Sequence, residues 1–212
     1  MYQKYLKRLI DVILSACGIV VLTPLWLVLA IVIKIDDPGP VIFCQKRIAQ
    51  DLKGEQRFFQ IYKYRSMKMC TPKDTPTHLL ENPEQYITKV GAFLRKTSLD
   101  ELPQIFNILF GHMSIVGPRP ALWNQDDLYA ERAKYGANAV KPGLTGWAQI
   151  NGRDELPIDA KAKLDGEYVE RMSFGFDVKC LFSTITSVLK HEGVVEGGTG
   201  TIEKEHEEVS QK

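Results

Sequence analysis

The run Val12–Ile33, VILSACGIVVLTPLWLVLAIVI, decides how the rest of the chain is read. It holds twenty-two residues without a charge. As one helix it would be about 33 Å long, enough for the ~30 Å hydrocarbon core of a bilayer. A cleaved signal peptide is the first alternative. The run is too long for a usual signal core, and no A-x-A site follows it; Lys34, Ile35, Asp36 and Asp37 come next. Pro24 sits mid-run. A proline there removes one backbone hydrogen bond and crowds the preceding turn, costing ~3 kcal/mol or more in water. In lipid the freed Val20 carbonyl needs another partner. The Thr23 hydroxyl can reach back to an i−3 or i−4 carbonyl. Thr23-Pro24 therefore reads as a built-in break, and each half would be about 15–18 Å, too short to span.

The flanks bear on topology. Lys4, Lys7 and Arg8 precede the run; Lys34, Lys46, Arg47, Lys53 and Arg57 follow it. Positive charge on both sides sets no direction of crossing. It fits a helix–break–helix hairpin that dips into one leaflet and returns to the cytoplasm. A proline-kinked spanning helix accounts for the same residues, and the residues alone leave both open.

Outside this run the chain reads as globular: 44% of all residues are hydrophobic and 25% charged. The 212 residues can bury a real core. A formal net charge of +1 argues against a dedicated nucleic-acid binder. Residues 195–212 carry five Glu and two Lys, or −3, so residues 1–194 sum to +4. Cys17, Cys44, Cys70 and Cys180 are widely spaced, without C-x-x-C or a nearby His pair. Four reduced, mostly structural thiols are expected, which suits a domain facing the cytoplasm.

Asp37-Pro38-Gly39-Pro40 is a strong turn that ends the membrane segment. Strands are predicted at Val41–Phe43, Phe58–Tyr64 and Trp147–Ile150. Helices are predicted at Thr88–Lys96, Asp100–Phe110, Asn124–Tyr135, Leu156–Met172 and Phe176–Lys190. Residues 71–84, with three prolines, read as a surface loop, and Gly111–Pro120 as another. In the last helix Val178, Leu181, Phe182, Ile185, Val188 and Leu189 form one stripe, assigned to the core ahead of a membrane interface. Residues 193–212 are Gly- and Glu-rich and read as a disordered tail. There is no internal repeat and no phosphate-binding glycine pattern of the Rossmann or Walker A type.

The strongest chemical signal is Ser98-Leu99-Asp100-Glu101-Leu102-Pro103-Gln104. By spacing it is an S-x-x-E capping box, with Asp100 only complementing a helix dipole. Pro103 weakens that reading. With Ser98 as cap, Pro103 would be the fifth helical residue, where an N–H is needed; with Asp100 as cap it is the third, where none is. The second placement leaves Asp100 and Glu101 at an anion-attracting helix mouth. Two adjacent carboxylates are also a candidate Mg²⁺ site. Lys63, Arg65, Arg95, Arg119 and Arg153 lie in or beside turns and short elements. Each alone is an ordinary exposed charge; beside a carboxylate pair they fit phosphate chemistry.

These residues fall into ordered blocks: Lys7–Asp11 (KRLID), Thr23-Pro24, Pro38–Phe43 (PGPVIF), Ile61–Met67 (IYKYRSM), Arg95–Gln104 (RKTSLDELPQ), Met113–Pro120 (MSIVGPRP) and Lys141–Arg153 (KPGLTGWAQINGR). Over about residues 4–192 the chain resembles the bacterial sugar transferases, or monotopic phosphoglycosyl transferases. The resemblance implies an α+β, mostly helical fold. A re-entrant membrane hairpin (1–36) would precede a small cytoplasmic catalytic domain (37–192) with short strands and interfacial helices, then the acidic tail (193–212). It implies a monotopic protein of the bacterial cytoplasmic membrane, in contact with membrane lipids, and admits a homodimer. It implies Mg²⁺ dependence and transfer of sugar-1-phosphate from a UDP-sugar to undecaprenyl phosphate, initiating a surface glycan. Asp100 would attack the β-phosphate and release UMP. Glu101 would help bind Mg²⁺ or take a proton. By motif position Lys63, Arg95, Arg119 and Arg153 look like the phosphate contacts. Ser66 stands where many relatives have Thr, and Asp154 where many have Asn. The chain starts directly at the hairpin and so resembles the minimal form of the family. Two other readings use the same residues: a membrane-anchored Mg²⁺-dependent phosphohydrolase, and a non-catalytic membrane adaptor.

Overall fold

The computed structural model describes residues 2–52, 54–71, 82–152 and 156–190. Most of the predicted 71–84 loop, Arg153, Asp154 and the predicted 193–212 tail lie outside the described residues. A π-helical turn, Tyr2–Leu6, leads into α1, Lys7–Asp36. The backbone at Thr23-Pro24 is helical, so the two halves expected there form one thirty-residue helix. Proline's fixed φ is already helical, and only one hydrogen bond is forfeited. The Thr23 hydroxyl does reach back a turn, but to the Ile19 carbonyl at 2.7 Å and not to that of Val20. Among the described residues α1 is the one helix long and apolar enough to cross a membrane.

Along one side α1 is fixed to the rest of the chain. Lys7 donates to Asp177 at 2.5 Å, and Arg8 donates to the Ile108 and Leu109 carbonyls at 2.6 and 2.8 Å. Asp11 accepts the Ile115 N–H at 3.0 Å. Midway, Trp26 meets Phe106 edge-on, with ring centroids 4.7 Å apart. Leu29 and Ile33 pack with Tyr64 and Leu94. At the far end Asp36 accepts the Val90 N–H at 3.0 Å, and Asp37 pairs with Arg65 at 2.6 Å. The opposite side is apolar and open: Val20 and Val21 are each 74% exposed.

Strands β1 (Ile42–Ile48) and β2 (Phe58–Tyr64) form an antiparallel ribbon, from Ile42 opposite Tyr64 to Ile48 opposite Phe58. β2 matches its prediction. β1 runs five residues further than the predicted Val41–Phe43 because pairing with β2 holds the polar stretch Gln45–Arg47 extended. Helix α2 (Lys89–Lys96) is capped by Thr88, whose hydroxyl accepts the Gly91 N–H at 2.9 Å. Helix α3 (Gln104–Leu109) follows a 3₁₀ turn at Leu99–Glu101. Within the predicted Gly111–Pro120 loop lies β3 (Ser114–Val116). It pairs in parallel with β4 (Gly143–Thr145). A side chain at Gly143 would place its Cβ 2.1 Å from the Gly117 nitrogen, so both glycines serve a close backbone crossing.

Helix α4 (Asp126–Ala133) joins α6 (Ile158–Arg171) through a buried ion pair, Arg132 to Asp165 at 2.6 Å. Between β4 and α6, Trp147–Ile150 is a helical turn, α5, and not the predicted strand; the extended residues are the three before it. Helix α7 spans Phe174–Lys190. Its predicted core stripe is corrected in part: Leu181 packs on the core, but Phe182 and Ile185 are 66% and 55% exposed, while Phe176, Asp177 and Cys180 are buried; the side chains of Val188 and Leu189 lie outside the described residues. Asp177 explains the rotation. It accepts bonds from Lys7, Tyr2 and Tyr168, and so turns that face inward. All four cysteines are free, and only Cys180 is buried; burial pushes its thiol up to about 11.

Packing between α2 and β2 is the tightest test of this fold. A Cβ at Gly91 would lie 2.0 Å from the Ser66 carbonyl oxygen. Gly91→Ala should therefore lower unfolding free energy by about 1–3 kcal/mol, read from the denaturant midpoint.

Candidate functional site

After α2 the backbone turns at Ser98, whose φ of +56° is left-handed. That twist ends the α2 direction and starts the 3₁₀ turn carrying Asp100 and Glu101. It also removes the predicted capping box. The Ser98 side chain makes no cap bond, and the Glu101 carboxylate points to cations instead of back to the Ser98 N–H. Asp100 is not a cap either. It lies inside the 3₁₀ turn, and α3 begins only at Gln104. Pro103 takes the cap position of α3, where its missing N–H is not needed.

The two carboxylates have different surroundings. Glu101 Oε1 receives Lys63 Nζ at 2.7 Å and Arg119 at 3.1 Å. Lys63 comes from the end of β2, Arg119 from the loop after β3. Burial alone would raise the Glu101 carboxyl, but Arg119 and Lys63, by charge and hydrogen bond, more than offset it. The group is held well below the usual carboxylate range. Asp100 is buried, and Lys63 is 4.0 Å away. Among the described residues no hydrogen bond is made to its carboxylate. Burial pushes Asp100 upward; Lys63 opposes that, the neighbouring Glu101 adds to it, and Arg95 and Arg119 again oppose it.

Of the predicted site residues, the structure thus brings together Asp100, Glu101, Lys63 and Arg119, with Arg95 close enough to act on Asp100 by its charge. Arg95 is braced by the Ser66 hydroxyl, which accepts its Nε–H at 2.9 Å. Arg65 serves elsewhere. It is buried and grips both the side chain and the carbonyl of Asp37 at the end of α1. Arg153 lies outside the described residues. Sequence reasoning did not give Ser66 its bracing task; a small hydroxyl two residues beyond a strand carries no signal of it.

Among the described residues no third His, Cys, Asp or Glu joins the pair. Two carboxylates, one free of hydrogen bonds and one with a single oxygen engaged, suit a hard cation that takes its other ligands from substrate phosphates and water. They do not make an all-protein cage.

The electrostatics of Glu101 have a stability consequence. A depressed folded pKa gives a contribution fully present above the unfolded value of ~4.3 and lost as pH falls toward the folded one. The stability difference between wild type and Glu101→Gln should therefore be largest near neutrality and shrink in acid, as measured by urea unfolding across pH.

The family described as bacterial sugar transferase matches this chain over residues 2–191. The chain is 40% identical over 190 residues to the UDP-glucose:undecaprenyl-phosphate glucose-1-phosphate transferase of Escherichia coli (strain K12), covering 86% of this chain and 40% of that protein. It is 39% identical over 203 residues to the uncharacterized sugar transferase EpsL of Bacillus subtilis (strain 168), covering 94% and 95%. It is 35% identical over 205 residues to the undecaprenyl-phosphate galactose phosphotransferase of Salmonella typhimurium, covering 90% and 42%. It thus spans about two fifths of the two transferases whose names state a substrate, and nearly all of EpsL. With a match that takes in α1, the carboxylate turn and every cation around it, the chain belongs to the bacterial sugar transferase family.

Proposed function

We propose that this chain transfers a sugar-1-phosphate from a UDP-sugar to undecaprenyl phosphate, at the cytoplasmic face of a bacterial membrane, as the first step of a surface glycan. One observation carries the reading: in a member of this family, a buried carboxylate with no hydrogen bond among the described residues, Asp100, sits beside a second carboxylate clamped by Lys63 and Arg119. In the first step an Asp100 oxygen forms a bond to the β-phosphorus, and the bond from that phosphorus to the bridging oxygen breaks, releasing UMP. In the second step an oxygen of undecaprenyl phosphate attacks the same phosphorus, and the aspartyl–phosphorus bond breaks. The products are undecaprenyl-diphosphate-sugar and free Asp100. Two displacements replace one difficult transfer. Lys63, Arg95 and Arg119 offset charge on the transferring group. Glu101, held so far below the usual range, is a poor proton acceptor; its surroundings favour an electrostatic role. Mg²⁺ held by Asp100 and Glu101 would neutralise the diphosphate.

The same reading takes α1 as re-entrant. Its support is the packing along α1. Polar anchors at both ends, Lys7 to Asp177 and Asp36 to Val90, reach the same body of the chain. The middle of the apolar run is covered by Phe106 and by Tyr64, whose hydroxyl donates to the Trp26 carbonyl at 3.3 Å. Lys63 is next to Tyr64 in sequence. A spanning α1 would carry these elements into the hydrocarbon, where unpaired polar groups cost several kcal/mol each. In the re-entrant arrangement the exposed side of α1 would enter one leaflet while the anchored side stays with the rest of the chain.

Two experiments test this. In nanodiscs with Mg²⁺ and undecaprenyl phosphate, wild type should release UMP from at least one UDP-sugar, and Asp100→Asn should be at least ~10³-fold slower. An active Asp100→Asn enzyme would remove the covalent role, and release of sugar phosphate without lipid acceptor would point to hydrolysis. For topology, single cysteines placed near residues 4 and 37 in a cysteine-free background should both react with an impermeant reagent from the cytoplasmic side. Labelling from opposite sides would mean a spanning helix.

A further inference from the structure

Asn107 lies within α3 and is 0% exposed. Its carboxamide works where another strand would pair with β2. Oδ1 accepts the Tyr62 N–H at 2.9 Å, and Nδ2 donates to the Gln60 carbonyl at 2.7 Å. Residues two apart in a strand point their backbone groups to the same edge, so both bonds fix one edge of β2. The Asn107 backbone is used as well. Its carbonyl accepts the N–H groups of His112 at 2.9 Å and Met113 at 3.2 Å, closing the turn from α3 toward β3.

One residue thus ties three stretches. β2 presents Lys63, the residue after Tyr62. The 3₁₀ turn feeding α3 presents Glu101. β3 runs on to Arg119. These stretches supply the Lys63–Glu101–Arg119 cluster, in which Lys63 and Glu101 approach to 2.7 Å. A shift of about 1 Å between β2 and α3 would take that pair out of hydrogen-bond range.

We propose that Asn107 is a positioning residue for the transfer reaction: its carboxamide sets the β2–α3 register that keeps Lys63 and Arg119 on Glu101. The kinetic part of this rests on the transferase reading; the packing part does not. A buried Asn that only satisfied its own hydrogen bonds would affect stability. Its effect would be additive with that of Glu101→Gln, and it would leave the turnover of folded enzyme unchanged.

The test uses the full chain in nanodiscs, with Asn107→Ser and Asn107→Asp. Asn107→Asp keeps the acceptor for Tyr62 but faces the Gln60 carbonyl with an oxygen. Asn107→Ser is the milder change and carries the test should the other fail to fold. One readout is a double-mutant cycle for stability with Glu101→Gln, read from urea unfolding. Glu101→Gln should cost less in the Asn107→Ser background than in wild type, because the cations no longer meet the carboxylate. UMP release should fall about 10²-fold in kcat, with less than about threefold change in KM for the UDP-sugar. Additive stability effects together with wild-type kcat in a folded variant would overturn the proposal. A wild type that releases no UMP would sink the transferase reading alone, because the stability cycle needs no turnover.

Discussion

A carboxylate taken out of water costs several kcal/mol unless cations meet it, and Glu101 is met by two. That requirement organises the site. Lys63 reaches Glu101 from the end of β2, and Arg119 from the loop after β3. Neither is near Glu101 in sequence, so the pairing is made only when ribbon, turn and loop converge. Ser66 then holds Arg95, and the Ser66 carbonyl, with no room for a side chain at Gly91, brings α2 against the end of β2. The cluster is a consequence of the tertiary structure and also a reason for its uniqueness. A slip of any one stretch would leave a buried charge unpaired, which is far more costly than a slip in an apolar core.

The apolar helix α1 obeys a matching constraint at larger scale. Its outer side is apolar and exposed, while its inner side carries Lys7, Arg8, Asp11 and Asp36, each bonded to the rest of the chain. Apolar packing at Trp26, Leu29 and Ile33 fills the stretch before the last of these anchors. The helix is thereby part of the folded unit and not a tether beside it. The turn carrying Asp100 and Glu101 precedes α3, the helix that α1 grips through Arg8 and Trp26. Those contacts fix the position of the carboxylate turn relative to α1.

What could be read from the sequence divides along physical lines. Local signals worked where one element answers to its own residues. Phe58–Tyr64 is the strand expected from its β-branched and aromatic content, and the helix expected from Thr88 begins there, with the Thr88 hydroxyl accepting the Gly91 N–H. The convergence of Asp100, Glu101, Lys63 and Arg119 was also legible, through ordered motifs more than through spacing. Local signals failed where a distant partner decides. Ser98 has the same outward pattern as a cap, but its left-handed backbone sends Glu101 to Lys63 and Arg119. The face of α7 was misjudged because Asp177, polar and seemingly external, is claimed by Lys7 from the other end of the chain. Arg65 looked like a phosphate ligand until Asp37 claimed it. Periodicity shows that a helix has two faces; only the tertiary partner says which is covered.

Two neighbouring carboxylates in one buried site carry an electrostatic cost. Equivalent groups in one pocket repel each other, and one must yield its charge. Here the cations are distributed unequally. Among the described residues Glu101 takes both short contacts, while Asp100 has Lys63 at 4.0 Å and no hydrogen bond. The result is one acid pushed down and one pushed up. Titratable neighbours driven apart in this way mark a division of roles. The strongly paired member fixes the local charge, and the weakly paired one keeps its oxygens free for an incoming group.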